Sequence, residues 1–181
     1  VRTVVAKGHT LGTHTWSHPL NLRAQKIENS VAEIEKGFAA VSAAAGQPIA
    51  PFFRFPGLSD SAGMLSHLQS RNVATFTVDV VSNDSFINSV DQLTRETVAK
   101  VEARKGGIIL FHDIKAVTAR ALPGILGELK ARGYRVVHLA SSRPLSIFNA
   151  KTRNADVRGR LYTTRSSTTA QPLLKKSPCS A

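Results

Sequence analysis

The regular alternation of short apolar stretches with amphipathic ones constrains this chain most. HTLGTH (9–14), PFFRF (51–55), VATFTVDVV (73–81), GIILFHD (107–113) and RVVHLA (135–140) read as strands. Between them lie four helical stretches. In the first, Leu22, Ile27, Val31, Ile34, Phe38 and Val41 recur at helical spacing until Gly46 and Pro48 stop it. DSAGMLSHLQSRN reads as a helix capped by Asp60 or Ser61. SVDQLTRETVAKVEARKGG closes on glycines, and TARALPGILGELKARGY carries a proline near its first turns with Gly133 behind it. Strands that alternate with helices cannot pair as hairpins, so βα units and a largely parallel sheet or barrel are expected. GIILFHD is nearly all apolar, as a strand buried on both faces should be. VRTVVAKG, ending in Lys7 and Gly8, reads as the end of a further helix.

The periodicity stops after Leu145. A domain is therefore expected over 1–145, followed by a Ser/Thr-rich basic tail, 146–181, expected to be disordered. Of the formal +12 charge, half lies in 151–181, where seven Lys/Arg face Asp156 alone. A solvated tail is the plain reading, and attraction to an anionic polymer or membrane surface is the sharper one. No basic helix with interleaved aromatics points to nucleic acid. No apolar run reaches the roughly 20 residues that span a bilayer. The one cysteine, Cys179, excludes an intrachain disulfide and a cysteine-based zinc site, so any metal must use His and Asp/Glu. Compartment is left open.

In α/β sheets and barrels, chemistry gathers at the C-terminal ends of strands. Four such ends carry polar groups: His14 and His18 in GTHTWSH, Arg54 in FFRFPG, Asp79 and Asp84 in FTVDVVSND, and His112 and Asp113 in IILFHD. Two histidines four apart are by themselves either metal ligands or polar residues near a core edge. Four polar ends together favour a site.

These segments resemble the polysaccharide deacetylase family, the NodB-homology or carbohydrate esterase four family. HTWSH is similar to its H-[ST]-x-x-H motif, RFPG to its Arg-x-Pro turn, DVVSND to D-x-x-D-W, and LFHD to L-x-H. The resemblance runs over about Val1–Leu145. The sequence departs from it at Gly57 and Ser85, where aromatics are expected, with Phe86 one place on. The family's T-F-D-D motif, source of the catalytic base and a carboxylate ligand, has no counterpart; it is expected upstream of Val1.

The resemblance implies a distorted (β/α) barrel, incomplete at its N-terminus, and removal of acetyl from N-acetylglucosamine-containing polysaccharide or oligosaccharide. His14 and His18 would bind a divalent metal, zinc foremost. His112 would act as general acid to the leaving amine, held by Asp84. Arg54 would orient the base. Its alternative is an ion pair with Asp79 or Asp84. Gly57 would offer a backbone N–H to the oxyanion and Leu110 would line the acetyl-methyl pocket, or simply fill the strand core. Asp79 is a partner of the site or a strand-end polar residue, and Asp113 caps the turn. His9, His67 and His138 have bland readings as loop, exposed helix and strand-end residues. Trp16 packs the loop or touches a sugar ring. As written, the chain is expected to be N-terminally truncated and inactive alone. A non-catalytic domain and a basic polymer-binding protein are the rival readings.

Overall fold

The computed structural model describes residues 1–141 and the strand Leu174–Lys176. It divides into two compact units, the first built on Val1–Thr77 and the second on Val78–Val137.

In the first unit, helix α1 (Arg2–Ala6) ends as its sequence predicts, with the Lys7 and Gly8 amides bonded back to Thr3 and Val5 carbonyls. Helix α2 (Ile27–Ala45) follows a single 3-10 turn over Leu22–Ala24. Gly46 stops it in the left-handed conformation, φ 68°, its amide donating to the Ser42 and Ala43 carbonyls. Strand β1 (Phe52–Phe53) pairs in parallel with β2 (Ala74–Thr75), and between them lies α3 (Ala62–Ser70), capped by the Ser61 hydroxyl. The apolar stripe of α2 delivers Ile34 and Phe38 to a core completed by Leu22, Phe53, Phe55, Met64 and Leu68. Each such buried side chain contributes about 1.5–3 kcal/mol. Ile27, counted in the stripe, is 41% exposed at the first turn. The expected first strand reduces to one bridge, Thr13 with Phe53, held by the Thr13 and Arg54 amides. Gly12 makes that approach possible: a Cβ there would lie 2.6 Å from the Phe52 carbonyl oxygen.

The second unit holds β3 (Val80–Val81), α4 (Val90–Arg104), β4 (Ile109–Leu110), α5 (Ala116–Ala131) and β5 (Tyr134–Val136). β3 and β4 are parallel; β5 pairs antiparallel with β6 (Leu174–Lys176). α4 and α5 bury Leu93, Val101, Ala121, Ile125 and Leu129 against Val80 and Tyr134. Pro123 sits within α5, where it removes one backbone donor, and the helix continues to Ala131.

Two expectations about single strands need correction. VATFTVDVV is two strands, because its pairing partner changes: the Phe76 amide still bonds Phe53, whereas the Asp79 amide bonds Ile108. β4 is only partly buried, since among the described residues it has one hydrogen-bonded neighbour. Among those residues the strands form three two-stranded sheets, so closure into a barrel is not traced. Leu174–Lys176, expected within a disordered tail, is a strand; the 145 boundary and the rest of the tail lie outside the described residues. No helix among the described residues is long and apolar enough to cross a membrane.

Candidate functional site

The histidine loop belongs to the first unit. After the Thr13 bridge the backbone turns sharply, with Thr15 at φ 68° and His18 at φ 59°. Non-glycine residues enter this region at a cost, β-branched ones most of all. Helix α2 secures it. Glu33 accepts the Trp16 amide on its carbonyl at 3.1 Å and the Ser17 amide on its carboxylate at 2.8 Å. Gly37, one turn along, leaves room for the loop backbone: a Cβ there would lie 2.7 Å from the Thr15 carbonyl carbon. The His18 amide donates to the Thr15 hydroxyl at 3.2 Å.

The rings of His14 and His18 stand edge to face, centroids 4.9 Å apart and planes at 68°. His14 is half-buried and His18 exposed. His14 Nδ1 lies 2.5 Å from the Arg54 carbonyl oxygen. A carbonyl only accepts, so Nδ1 carries a proton, and Nε2 is the ring nitrogen left for a metal when the ring is neutral. Ligating histidines are held in this way by a carbonyl or carboxylate behind the ring. The pair therefore fits a metal as two nitrogen donors. Among the described residues no group of three or more His, Cys, Asp or Glu is gathered for one.

Arg54 supports this loop through its backbone: its amide donates to Thr13 at 3.2 Å and its carbonyl holds His14. Burial lowers its guanidinium pKa from the ordinary value. Gly57, in the 3-10 turn Pro56–Leu58, is exposed and left-handed at φ 57°, facing the Leu20 side chain. Trp16 is 61% exposed. His9 is an exposed loop residue. His67 is bonded to Glu35 at 2.7 Å, beside an Arg71–Glu35 ion pair. The Thr10 hydroxyl gives its proton to the Leu139 carbonyl and therefore accepts from His138 Nε2.

The second unit contains a complete polar cluster. Asp84 is 2% exposed. Its Oδ1 lies 2.7 Å from His112 Nδ1, and its Oδ2 accepts the His112 amide and the Thr118 hydroxyl, both at 2.6 Å. The Asp84 amide donates to the Ser82 hydroxyl at 3.3 Å. Burial alone would raise the Asp84 pKa; hydrogen bonds from Thr118 and His112, with the charge of His112, outweigh it and hold the carboxyl below its usual range. Because a carboxylate only accepts, the His112 proton sits on Nδ1, leaving Nε2 as the other ring nitrogen on a side chain 39% exposed. Ser85 Oγ is 3.2 Å from the same Nδ1.

Asp79 is structural here: its Oδ2 accepts the Ile108 amide at 2.7 Å, in the space left by Gly107. Both aspartates weighed as partners of Arg54 are thus engaged within their own unit. Leu110 sits opposite Val81 in the β3–β4 ladder and is partly buried; Asp113 is exposed. Sequence reading missed Glu33, Gly37, Ser85 and Thr118. Thr118 had a signal, a hydroxyl in register with Ala121 and Ile125 on the apolar face of α5.

The family model for polysaccharide deacetylase matches residues 1–76. A peptidoglycan-N-acetylglucosamine deacetylase of Bacillus cereus is 28% identical over 144 residues, which cover 76% of this chain and 64% of that protein. A solved peptidoglycan deacetylase of Bdellovibrio bacteriovorus is 32% identical with a TM-score of 0.72, covering 85% of this chain and 43% of that one. A family 4 carbohydrate esterase of Streptomyces lividans, solved with acetate, is 27% identical with a TM-score of 0.63, covering 72% of this chain and 65% of that one. The chain thus spans between about two-fifths and two-thirds of the length of these relatives.

Proposed function

The chain belongs to the polysaccharide deacetylase family, the NodB-homology or carbohydrate esterase four family, and from that premise we propose that it serves metal-dependent hydrolysis of the acetamide of N-acetylglucosamine units in a polysaccharide. Peptidoglycan is the foremost candidate, as the polymer named for its Bacillus cereus and Bdellovibrio relatives.

The observation that carries this reading is the buried Asp84 carboxylate behind a part-exposed His112. An amine is a poor leaving group until it is protonated, and an imidazolium held at Nδ1 by a carboxylate supplies that proton from Nε2 and returns to neutral imidazole. His112 is the general acid, and Asp84 fixes its tautomer and stabilises the imidazolium. His14 and His18 are the nitrogen ligands of a divalent metal, zinc foremost, which when bound polarises the acetyl carbonyl and acidifies water. Arg54 holds His14 through its carbonyl, and its guanidinium is the group that would orient a T-F-D-D carboxylate as base. The Gly57 N–H is the oxyanion donor and Leu110 lines the acetyl-methyl pocket.

The test is acetate release from N-acetylglucosamine oligomers and from peptidoglycan, with zinc and with chelator. The expected result is no acetate from residues 1–181 alone, and turnover that chelator abolishes and zinc restores once a segment supplying the family's T-F-D-D carboxylates is joined ahead of Val1. His112→Ala should lower kcat about 10²–10⁴-fold with metal retained. Loss of metal from that variant would overturn its role as an acid.

A second reading rests on the donor count. Two imidazoles are one short of the usual three protein ligands of catalytic zinc. It makes the chain a non-catalytic member of the family that binds glycan without turnover. Binding that survives chelator, with no acetate released by the joined chain, would favour it. Binding that also requires residues 151–181 would favour a basic polymer-binding protein.

A further inference from the structure

Asp84 has two oxygens and both are committed. Oδ1 faces the His112 ring, so whatever fixes Oδ2 fixes the direction of Oδ1. Two donors do this: the His112 amide, on the same strand end as the ring, and the Thr118 hydroxyl, on a different element, α5. Thr118 is 4% exposed and sits one residue from Val117 and three from Ala121, both in the apolar core of the second unit. A threonine hydroxyl on an interior helix face is costly unless bonded. Its neighbour in chemistry shows the contrast. Thr97 on α4 is fully buried, and its hydroxyl has no hydrogen-bond partner among the described residues. The Thr118 hydroxyl instead meets an ionised oxygen at 2.6 Å, the short distance of a charge-assisted bond.

We propose that Thr118 is a positioning residue for the Asp84–His112 pair: its hydroxyl pins the carboxylate rotamer, and with it the His112 ring orientation that keeps Nδ1–H on Oδ1 and leaves Nε2 as the atom that takes up and gives the transferable proton. Helix α5 thereby becomes part of the acid. The hydroxyl donates a hydrogen bond to Oδ2, favours the ionised carboxylate, and leaves Oδ1 to accept from the ring. The catalytic consequence rests on the reading of His112 as general acid; the electrostatic one does not.

The experiment uses the full 181-residue chain and three variants: Thr118→Val, which keeps the shape and removes the hydroxyl, Thr118→Ser, which keeps the hydroxyl, and Thr97→Val, the same chemical change at a hydroxyl with nothing to hold. The first readout is the Asp84 carboxyl titration by carbon NMR. It should move to higher pH in Thr118→Val and stay at the wild-type position in Thr118→Ser and Thr97→Val. The second is turnover, in the same chains joined to a segment supplying the T-F-D-D carboxylates: kcat should fall roughly tenfold in Thr118→Val with KM unchanged, and recover in Thr118→Ser. The third needs no variant, since the wild-type chain should show a slowly exchanging Thr118 hydroxyl proton by NMR. An unmoved Asp84 titration in a folded Thr118→Val chain would overturn the proposal. So would rapid exchange of that hydroxyl in the wild type, which decides the matter even if the valine variant does not fold. If the titration moves as expected while the chain joined to a T-F-D-D segment releases no acetate, the positioning role stands and the deacetylase reading fails.

Discussion

The two polar clusters are built in opposite ways. His14 and His18 stand on a loop whose backbone is held in an unfavourable conformation by groups around it: the Arg54 carbonyl, Glu33 and the gap left by Gly37. The functional side chains contribute little to that hold, and His18 is exposed. Asp84, in contrast, is both the proposed partner of the acid and a buried knot of hydrogen bonds, joining a strand-end loop, the second residue after β4 and helix α5. The first cluster can lose its chemistry without losing its fold. In the second, chemistry and stability are the same interactions. Substitutions should therefore separate the two effects at one cluster and fuse them at the other.

The largest effect is expected from Asp84→Ala. It leaves the His112 amide and the Thr118 hydroxyl without acceptors, and unsatisfied buried donors cost about 1–3 kcal/mol each. Urea unfolding should show a loss of about 3 kcal/mol. A change below about 0.5 kcal/mol would mean the knot does not support the fold.

Gly37→Ala comes next. Its methyl cannot sit 2.7 Å from the Thr15 backbone, so loop or helix must move, at a cost of about 1–3 kcal/mol. Zinc binding, followed by calorimetry, should weaken along with stability. Retained affinity would show that the helix does not set the loop.

A pH dependence follows from the depressed Asp84 carboxyl. In the unfolded chain an aspartate titrates near ~3.9, and in the folded chain Asp84 titrates lower. The unfolded state therefore binds the proton first as pH falls. The stabilisation is complete above the unfolded value and is lost as pH falls through the folded one. Urea midpoints of wild type and Asp84→Asn should converge below about pH 4. Parallel curves would assign the acid sensitivity elsewhere.

The smallest effect on stability belongs to His18→Ala. An exposed side chain away from packing changes stability by about 0.5 kcal/mol or less. The same variant should lose zinc binding outright. A marked loss of stability would contradict the separation of chemistry from fold at this cluster.

What the sequence determined by itself was whatever is local or periodic. The α2 stripe of Ile34 and Phe38, its stop at Gly46 and a cap at Asp60 or Ser61, made by Ser61, follow from 3.6-residue spacing and from which side chains satisfy free amides. The ordered motifs placed His14, His18, Arg54, Asp84 and His112 at strand ends, and the structure brings together His14 with His18 and Asp84 with His112. Tertiary structure decided what depends on groups far apart in the chain. VATFTVDVV reads as one strand because β-branched residues are uniform along it, and only the switch of partner from Phe53 to Ile108 divides it. Asp79 reads equally as a partner of the site or as a strand-end polar residue, and the fold brings the Ile108 amide to it. Arg54 was singled out for its guanidinium, while its carbonyl is the group that fixes His14. Thr118 carries no motif at all. A hydroxyl becomes functional only when folding brings an ionised oxygen to it across 34 residues, and a hydrogen bond of 2.6 Å is a property of that approach, not of the threonine.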